Sequence, residues 1–452
     1  MPSLFFEEAL LPQGFARNVR LTIDGGRIAG VEAGAGAERG DERHAVGLPG
    51  MPNLHSHAFQ RAMAGLTERR GPSSDSFWTW RETMYRFAHR MDPDDVEAVA
   101  AQLYMEMLEA GFTRVGEFHY LHHDRDGAPY ADIAEMSARI AAAADETGIG
   151  LTLLPVFYAH GGFGGMQPSP GQRRFVNDLD RFARLVEGAR RAVAGLDGAV
   201  IGIAPHSLRA ATEDELLCLL QLAPQGPLHI HVAEQLREVE DCLAWSGARP
   251  VEWLLAHAPV DRGWCLVHAT HMTPRERDAM ARSGAVAGLC PVTEANLGDG
   301  IFDAAEFVAS GGEYGVGSDS NVLVGLADEL RQLEYSQRLR HRARNLMAGA
   351  EIRSSGRALY EAALRGGARA LGMRRAGIVE GAAADLVSLD AGHPALASRQ
   401  GDAVLDALVF AARDRLVDCV WRGGRKLVEH GRHLRHDACV ARFTRVMAKL
   451  LS

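Results

Sequence analysis

Eight short apolar runs punctuate the middle of this chain, and stretches with helical periodicity lie between most of them. The runs are LPGMPNLHSH at 48–57, FTRVGEFHY at 112–120, GLTLLPVFY at 150–158, AVIGIAPHS at 199–207, PLHIHVAE at 227–234, WCLVHATH at 264–271, AVAGLCPV at 285–292 and YGVGSDS at 314–320. Between them, PDDVEAVAAQLYMEMLEAG, ADIAEMSARIAAAADETG and TEDELLCLLQLA place apolar residues three and four apart, as one face of a helix does. Strands alternating with helices argue for an α/β protein built as a parallel (β/α)8 TIM-type barrel. A doubly wound open sheet is the runner-up. It would usually carry a Gly-rich phosphate turn after its first strand, where this chain has Leu54-His55-Ser56-His57.

The two ends of the chain read differently. Residues 4–33 and 377–430 contain alternating strands broken by Gly-Gly turns, at Gly25–Gly26 and at Gly423–Gly424. Pieces at opposite ends of a chain can share one sheet, because termini often lie close together. The expected division is 1–47 and 375–452 in a small composite β-sandwich domain, the latter with a terminal helix, around a barrel over 48–374. A long aromatic connection at 58–92, containing Trp78 and Trp80, is placed where a barrel would carry a lid or substrate-binding segment.

Polar residues interrupt the apolar runs at their C-terminal ends: His55, His57, Glu117, His119, His206, His231, Glu234, His268 and Asp319. In a (β/α) barrel those ends form the active-site face, so residues distant in sequence converge. His55 and His57, two apart on a strand, share a face. With His231 and Asp319 they offer three imidazoles and one carboxylate to one divalent cation, most naturally Zn²⁺, with Fe²⁺ or Mn²⁺ as alternatives. Alone, each histidine reads as a satisfied core residue. Glu234 reads alone as a helix-start acid, and beside such a cation as a proton donor to a leaving nitrogen. His268 is a further ligand, base or polariser, and His229 ranks lower because it sits deeper in its strand.

Composition narrows the function. Asp+Glu exceeds Lys+Arg, 58 against 49, and the formal charge of −9 gives no bulk attraction for nucleic acid. No apolar run is long enough to cross a membrane, and the N-terminus lacks a basic n-region, so a cytoplasmic protein is expected. The six cysteines form no C-x-x-C pair. Lysine occurs only at Lys426 and Lys449, and the three imidazoles and one carboxylate offer a site for one divalent ion. A water bound to such an ion has its pKa lowered from 15.7 towards about 7, enough to attack carbon bonded to nitrogen. Arg81 and Arg209 suit a small dicarboxylate through forked hydrogen bonds, although most arginines pair with surface acids.

The set H-S-H, H-V-A-E, a lone strand-end His268 and G-S-D-S resembles the amidohydrolase superfamily, and GIVEGAAADLVSLD resembles that family's small β domain. The resemblance implies that His55, His57, His231 and Asp319 bind metal and that Glu234, His268 and Asp319 are catalytic. The segments NLHSHAFQRAMAGL, DSFWTWRETMY, EFHYLHHD, PHSLRA and TEANLGDGIF resemble the formimidoylglutamate deiminase family. That implies hydrolysis of N-formimidoyl-L-glutamate to N-formyl-L-glutamate and ammonia, with Gln60, Arg81, Tyr120, His206 and Arg209 holding the substrate, and a homodimer. Heterocycle deaminases or chlorohydrolases of the same superfamily are the alternative. A barrel kept only for binding is the third possibility, and it would have no need of Glu234 and His268.

Overall fold

The computed structural model describes residues 3–70, 76–222, 225–413 and 416–452. Residues 71–75 of the long connection expected at 58–92 lie outside the described residues, as do 414–415 at the edge of the C-terminal β segment. Seventeen strands are present among the described residues. β1 (Ser3–Leu11), β2 (Gly14–Asp24), β3 (Arg27–Ala33) and β4 (Glu42–Pro49) come from the N-terminal segment. The barrel strands are β5 (Met51–Ser56), β6 (Phe112–His119), β7 (Gly150–Phe157), β8 (Val200–Ile201), β9 (Ala204–Pro205), β10 (Leu228–Val232), β11 (Trp264–His268), β12 (Val286–Leu289) and β13 (Glu313–Val316). β14 (Leu386–Leu389), β15 (Val417–Arg422), β16 (Arg425–Glu429) and β17 (Arg432–His433) complete the set.

The terminal strands form one eight-stranded mixed sheet in the order β17-β16-β15-β14-β4-β1-β2-β3. Both Gly-Gly turns have positive φ at each glycine, as two-residue hairpins with right-handed strand twist require. The sheet curls until those turns meet. A Cβ on Gly26 would lie 3.2 Å from the Gly423 carbonyl. Leu4, Phe6, Val19, Leu21, Ile23, Leu386 and Trp421 fill the space enclosed. The sandwich is therefore one sheet folded over itself.

The barrel consists of two parallel ladders, β5-β6-β7-β8/β9 and β10-β11-β12-β13. Parallel bridges close it at Ile203–Leu228, Ser207–His231 and Ser56–Asp319. Gly317 makes the last closure possible, since a Cβ there would sit 2.7 Å from the backbone of His55. Two expected strands differ in detail. The run at 48–57 is two strands in two sheets, because the chain leaves the terminal sheet at Pro49 and enters the barrel at Met51. The fourth barrel strand is split between β8 and β9.

The expected helix over PDDVEAVAAQLYMEMLEAG is α2 (Pro93–Glu109). It opens on a capping box in which Asp92 and Asp95 bond each other's backbone. Ahead of it, α1 (Phe77–Ala88) carries the aromatic part of the long connection. The floor of the barrel is plugged by Leu54, Cys265, Val267, Val286, Ala370 and Leu371. Side chains and not an aqueous channel fill the interior, and the space left open lies at the C-terminal ends of the strands.

Candidate metal centre and substrate pocket

His55 and His57 end β5, His231 lies near the end of β10, and Asp319 follows β13. Their ligand atoms all lie within 4.8 Å of one another. The His231 and His55 Nε2 atoms are 3.0 Å apart, those of His55 and His57 are 3.2 Å apart, and Asp319 Oδ1 is 3.2 Å from His57 Nε2. Two of these rings have fixed tautomers. His57 Nδ1–H donates to the Phe118 carbonyl at 2.9 Å and His231 Nδ1–H to the His206 carbonyl at 3.0 Å. In the neutral rings each Nε2 therefore carries a lone pair aimed at other lone pairs. Such an arrangement is repulsive without a cation at its centre and is what a metal requires. Burial and the neighbouring imidazoles hold His55 and His231 well below the usual histidine range, so these nitrogens stay free to coordinate. Burial opposes a charge on Asp319, but the neighbouring His57 and His268 keep the carboxyl below its ordinary range.

The loop carrying Asp319 is pinned from behind. Asn53 Nδ2 donates to Ser318 Oγ, Ser318 Oγ donates to Asn321 Oδ1, and Asn321 Nδ2 donates to the carbonyls of His57 and Asp319. Asp319 N also donates to the His55 carbonyl at 3.0 Å. This network ties the first and last barrel strands together directly beneath the four converging side chains.

His268 stands beside that cluster, its Nε2 3.8 Å from Asp319 Oδ2 and 3.8 Å from Glu234 Oε1. Glu294 accepts from His268 Nδ1 at 3.2 Å and turns the ring into the pocket. Burial opposes the imidazolium, yet Glu234, Glu294 and Asp319 outweigh it and raise His268 to about 10. Burial raises the Glu234 carboxyl above its usual range.

The same cavity is lined by Gln60, Arg81, Tyr120, His206 and Arg209, together with His57, His231, Glu234, His268 and Asp319. The Arg81 guanidinium lies 4.6 Å from the Trp78 ring centroid, and its buried Nε has no hydrogen-bond partner. Arg209 Nη1 also has none, its nearest carboxylate oxygen being Glu238 Oε2 at 3.9 Å. Gln60 Nε2 donates to the Tyr120 hydroxyl at 2.7 Å, leaving Gln60 Oε1 buried and unpartnered. Buried polar groups without partners are costly, and here a ligand with acceptor oxygens for Arg81 and Arg209 and a donor for Gln60 Oε1 would complete the pocket.

The structure separates other strand-end residues from this pocket. Phe118, between Glu117 and His119, packs on His55 and His231. Its neighbours in sequence therefore face the helices. Glu117 accepts from Ala58 N at 2.7 Å, and burial raises it to about 7. His119 packs beside His122 and is held near 3 by burial. His229 Nε2 donates to the Ala370 carbonyl in the barrel floor. Sequence reasoning missed Met84, Tyr85, Tyr158 and Phe175 in the pocket wall, and Glu238 and Glu294 behind it. Glu238 was detectable as a second acid four residues after Glu234, on the helix Leu236–Ser246.

Comparisons with known proteins agree with this geometry. Residues 46–427 match the amidohydrolase family, and residues 1–45 match the N-terminal domain of formimidoylglutamate deiminase HutF. The chain is 52% identical to formimidoylglutamate deiminase of Pseudomonas aeruginosa over 453 aligned residues, covering 100% of each. A crystal structure of an amidohydrolase from Brucella melitensis superposes with a TM-score of 0.98 at 60% identity, covering 100% of both chains. Atrazine chlorohydrolase from Arthrobacter aurescens complexed with zinc shares the fold, at a TM-score of 0.84 and 21% identity over 99% of this chain and 100% of that one.

Proposed function

The chain belongs to the amidohydrolase family, and on that footing we propose that it hydrolyses N-formimidoyl-L-glutamate to N-formyl-L-glutamate and ammonia. It is a hydrolase of a C–N bond other than a peptide bond. The observation that carries the substrate is the pair Arg81 and Arg209. Each presents a buried, unpartnered N–H in the cavity that holds the three-histidine, one-aspartate cluster. A substrate with two carboxylates supplies the acceptors these groups lack, and an uncharged heterocycle does not.

His55, His57, His231 and Asp319 would hold one divalent ion, and their borderline nitrogen and oxygen donors suit Zn²⁺ best. Such an ion, when bound, acidifies water and polarises the formimidoyl carbon. The remaining work falls to the side chains. Arg81, Arg209, Gln60, Tyr120 and His206 hold the substrate so that its formimidoyl group reaches His268 and Glu234. Asp319, at the edge of the pocket, takes a proton from the attacking water. Glu234 delivers to the amidine nitrogen the two protons that the water gives up, one on attack and one as C–OH becomes C=O, so that the C–N bond breaks and ammonia departs while oxygen stays on carbon. His268 Nε2, between Glu234 and Asp319, stabilises the charge that gathers on the reacting centre. Glu294 fixes its orientation.

The family resemblance supports a place in histidine degradation, a cytoplasmic location and a homodimer. Among the described residues, no helix is long and apolar enough to cross a membrane. The test is a steady-state assay with the metal-loaded enzyme against formimidoyl amino acids of different acid length, following ammonia and the N-formyl product. Turnover should be fastest with the L-glutamate derivative. Release of ammonia from aminopurines, with none from N-formimidoyl-L-glutamate, would overturn the assignment in favour of a heterocycle aminohydrolase.

A further inference from the structure

A second group of ligand-type side chains lies in the folded-over terminal sheet, among residues that do not line the substrate pocket. His44 on β4 and Asp418 and Cys419 on β15 place one ligand atom each within 4.8 Å of one another. His44 Nδ1 is 3.7 Å from Asp418 Oδ2, and Cys419 Sγ is 3.4 Å from the same oxygen. In a tetrahedral zinc site, bond lengths of about 2.0–2.3 Å put a nitrogen and an oxygen about 3.4 Å apart, and a sulfur and an oxygen about 3.6 Å apart. The observed separations of 3.7 and 3.4 Å lie within about 0.3 Å of these values.

We propose that His44, Asp418 and Cys419 bind a second divalent cation of the zinc class. Three further observations support this. First, His44 Nε2 is already engaged by Glu42 Oε1 at 3.0 Å. That contact orients the ring and leaves Nδ1 turned towards Asp418 Oδ2 at 3.7 Å, a distance too long for a hydrogen bond. A carboxylate behind a ligating imidazole is also the usual support of a metal-bound histidine. Second, the site is built and reachable. Cys419 is buried, while the His44 and Asp418 side chains are 10% and 25% exposed. Third, Asp418 meets His430 through its other oxygen, Oδ1, 3.5 Å from His430 Nδ1, which leaves Oδ2 to face His44 and Cys419. Burial and Asp418 raise the Cys419 thiol to about 11, and a bound cation would reverse that shift.

The placement gives the ion a purpose. β4 comes before the whole barrel in sequence and β15 comes after it. The two are not hydrogen-bonded to each other, because β14 lies between them. A cation held by His44 and by Asp418–Cys419 would cross-link the chain ends across that strand. Closing a very long loop in this way favours the folded state.

The experiment uses Co²⁺ as the probe, because a thiolate ligand gives a sulfur-to-cobalt charge-transfer band that a centre of three histidines and an aspartate cannot give. The metal-free full-length protein is titrated with Co²⁺ while absorbance and bound metal per chain are followed. Two ions per chain and a thiolate band are expected. Cys290→Ser is the control, since Cys290 lies beside His268 and Asp319. The band should persist in Cys290→Ser and vanish in Cys419→Ser, where one ion per chain remains and ammonia release stays within about twofold of wild type. Should Cys419→Ser fail to fold, His44→Gln serves instead, and it too should drop the stoichiometry from two to one. A saturated wild type with one ion and no thiolate band would overturn the proposal. So would a band that survives Cys419→Ser or disappears in Cys290→Ser.

Discussion

Replacing Arg209 with methionine is the sharpest test of how the pocket recognises its substrate. The Arg209 side chain is 13% exposed, and its Nε reaches Ser207 Oγ only at 3.4 Å. Its guanidinium is therefore largely uncommitted in the free enzyme. A hydrogen bond to a charged group contributes about 1.5–3 kcal/mol, so losing one forked contact to a carboxylate costs about 2–4 kcal/mol. That corresponds to a roughly 30- to 700-fold fall in kcat/KM. Methionine keeps the apolar stem, and Glu238 retains bonds from the backbone N–H groups of Ala233 and Glu234, at 3.1 and 3.2 Å. The variant should fold normally. The assay crosses enzyme with substrate: wild type and Arg209→Met against N-formimidoyl-L-glutamate and against analogues lacking either carboxylate. For the analogue missing the group that Arg209 clamps, wild type and variant should be nearly equal, and the penalty should appear only with the intact dianion. An effect below about threefold, or an equal loss on all substrates, would refute the reasoning.

Other outcomes follow from the same geometry. Glu234→Gln should cut kcat by about 10²- to 10⁴-fold with KM little changed, as expected for a lost proton carrier; a rise in KM alone would make Glu234 a binding residue. Exhaustive chelation should abolish ammonia release, and Zn²⁺ should restore it, whereas a chelated enzyme retaining full activity would remove the metal from the reading. Asp319→Ala should reduce metal retained at the barrel site, measured by elemental analysis. Stability should also fall in acid. His119 and His229 are held near 3 and near 4 by burial, below the ordinary 6.5, so the unfolded chain binds more protons between those values. Their contribution is intact above pH 6.5 and is lost as pH falls through 4 to 3. The denaturant midpoint should decline over that window, and less steeply in His229→Gln; a flat midpoint in wild type would contradict the burial argument.

The barrel and the convergence of three histidines and an aspartate were legible because strand ends announce themselves. An apolar run that stops at a histidine or aspartate marks both the end of a strand and the face it opens onto. What failed was orientation inside strands buried on both sides. β6 is buried along its whole length, so hydrophobic alternation carries no signal there. Glu117 and His119 looked equivalent to His55 and His57 for that reason. Only the contact of Phe118 with the imidazoles shows that the odd-numbered positions face the helices. The break at Gly50 was hidden similarly, since Val46, Leu48 and Met51 are apolar on both sides of it and belong to different sheets. Glu238 was detectable only as an acid four residues after Glu234, and Glu294 gave no functional signal, because an acid at a helix start needs no further reason to be there. Their significance comes from Arg209 and His268, which no local pattern brings near.

Backbone strain shows why the sequence at the strand ends is so restricted. Ala233, His268, Ala269, Asp319 and Asn321 all have positive φ, although none is glycine. A residue other than glycine in that region costs about 1 kcal/mol or more. All five lie at or just beyond the C-terminal ends of the barrel strands β10, β11 and β13. The left-handed turn at His268 aims the ring across the pocket, and the turn at Asp319 points its carboxylate at three imidazoles. Asn321 offsets part of the cost, because its amide bonds two carbonyls of the turn it belongs to. Replacing Asn321 with alanine would remove those bonds and leave the strain. Asp319 should then drift from the cluster, and metal affinity should weaken before the fold does. Loss of stability with unchanged metal affinity would place the function of that network in the fold alone.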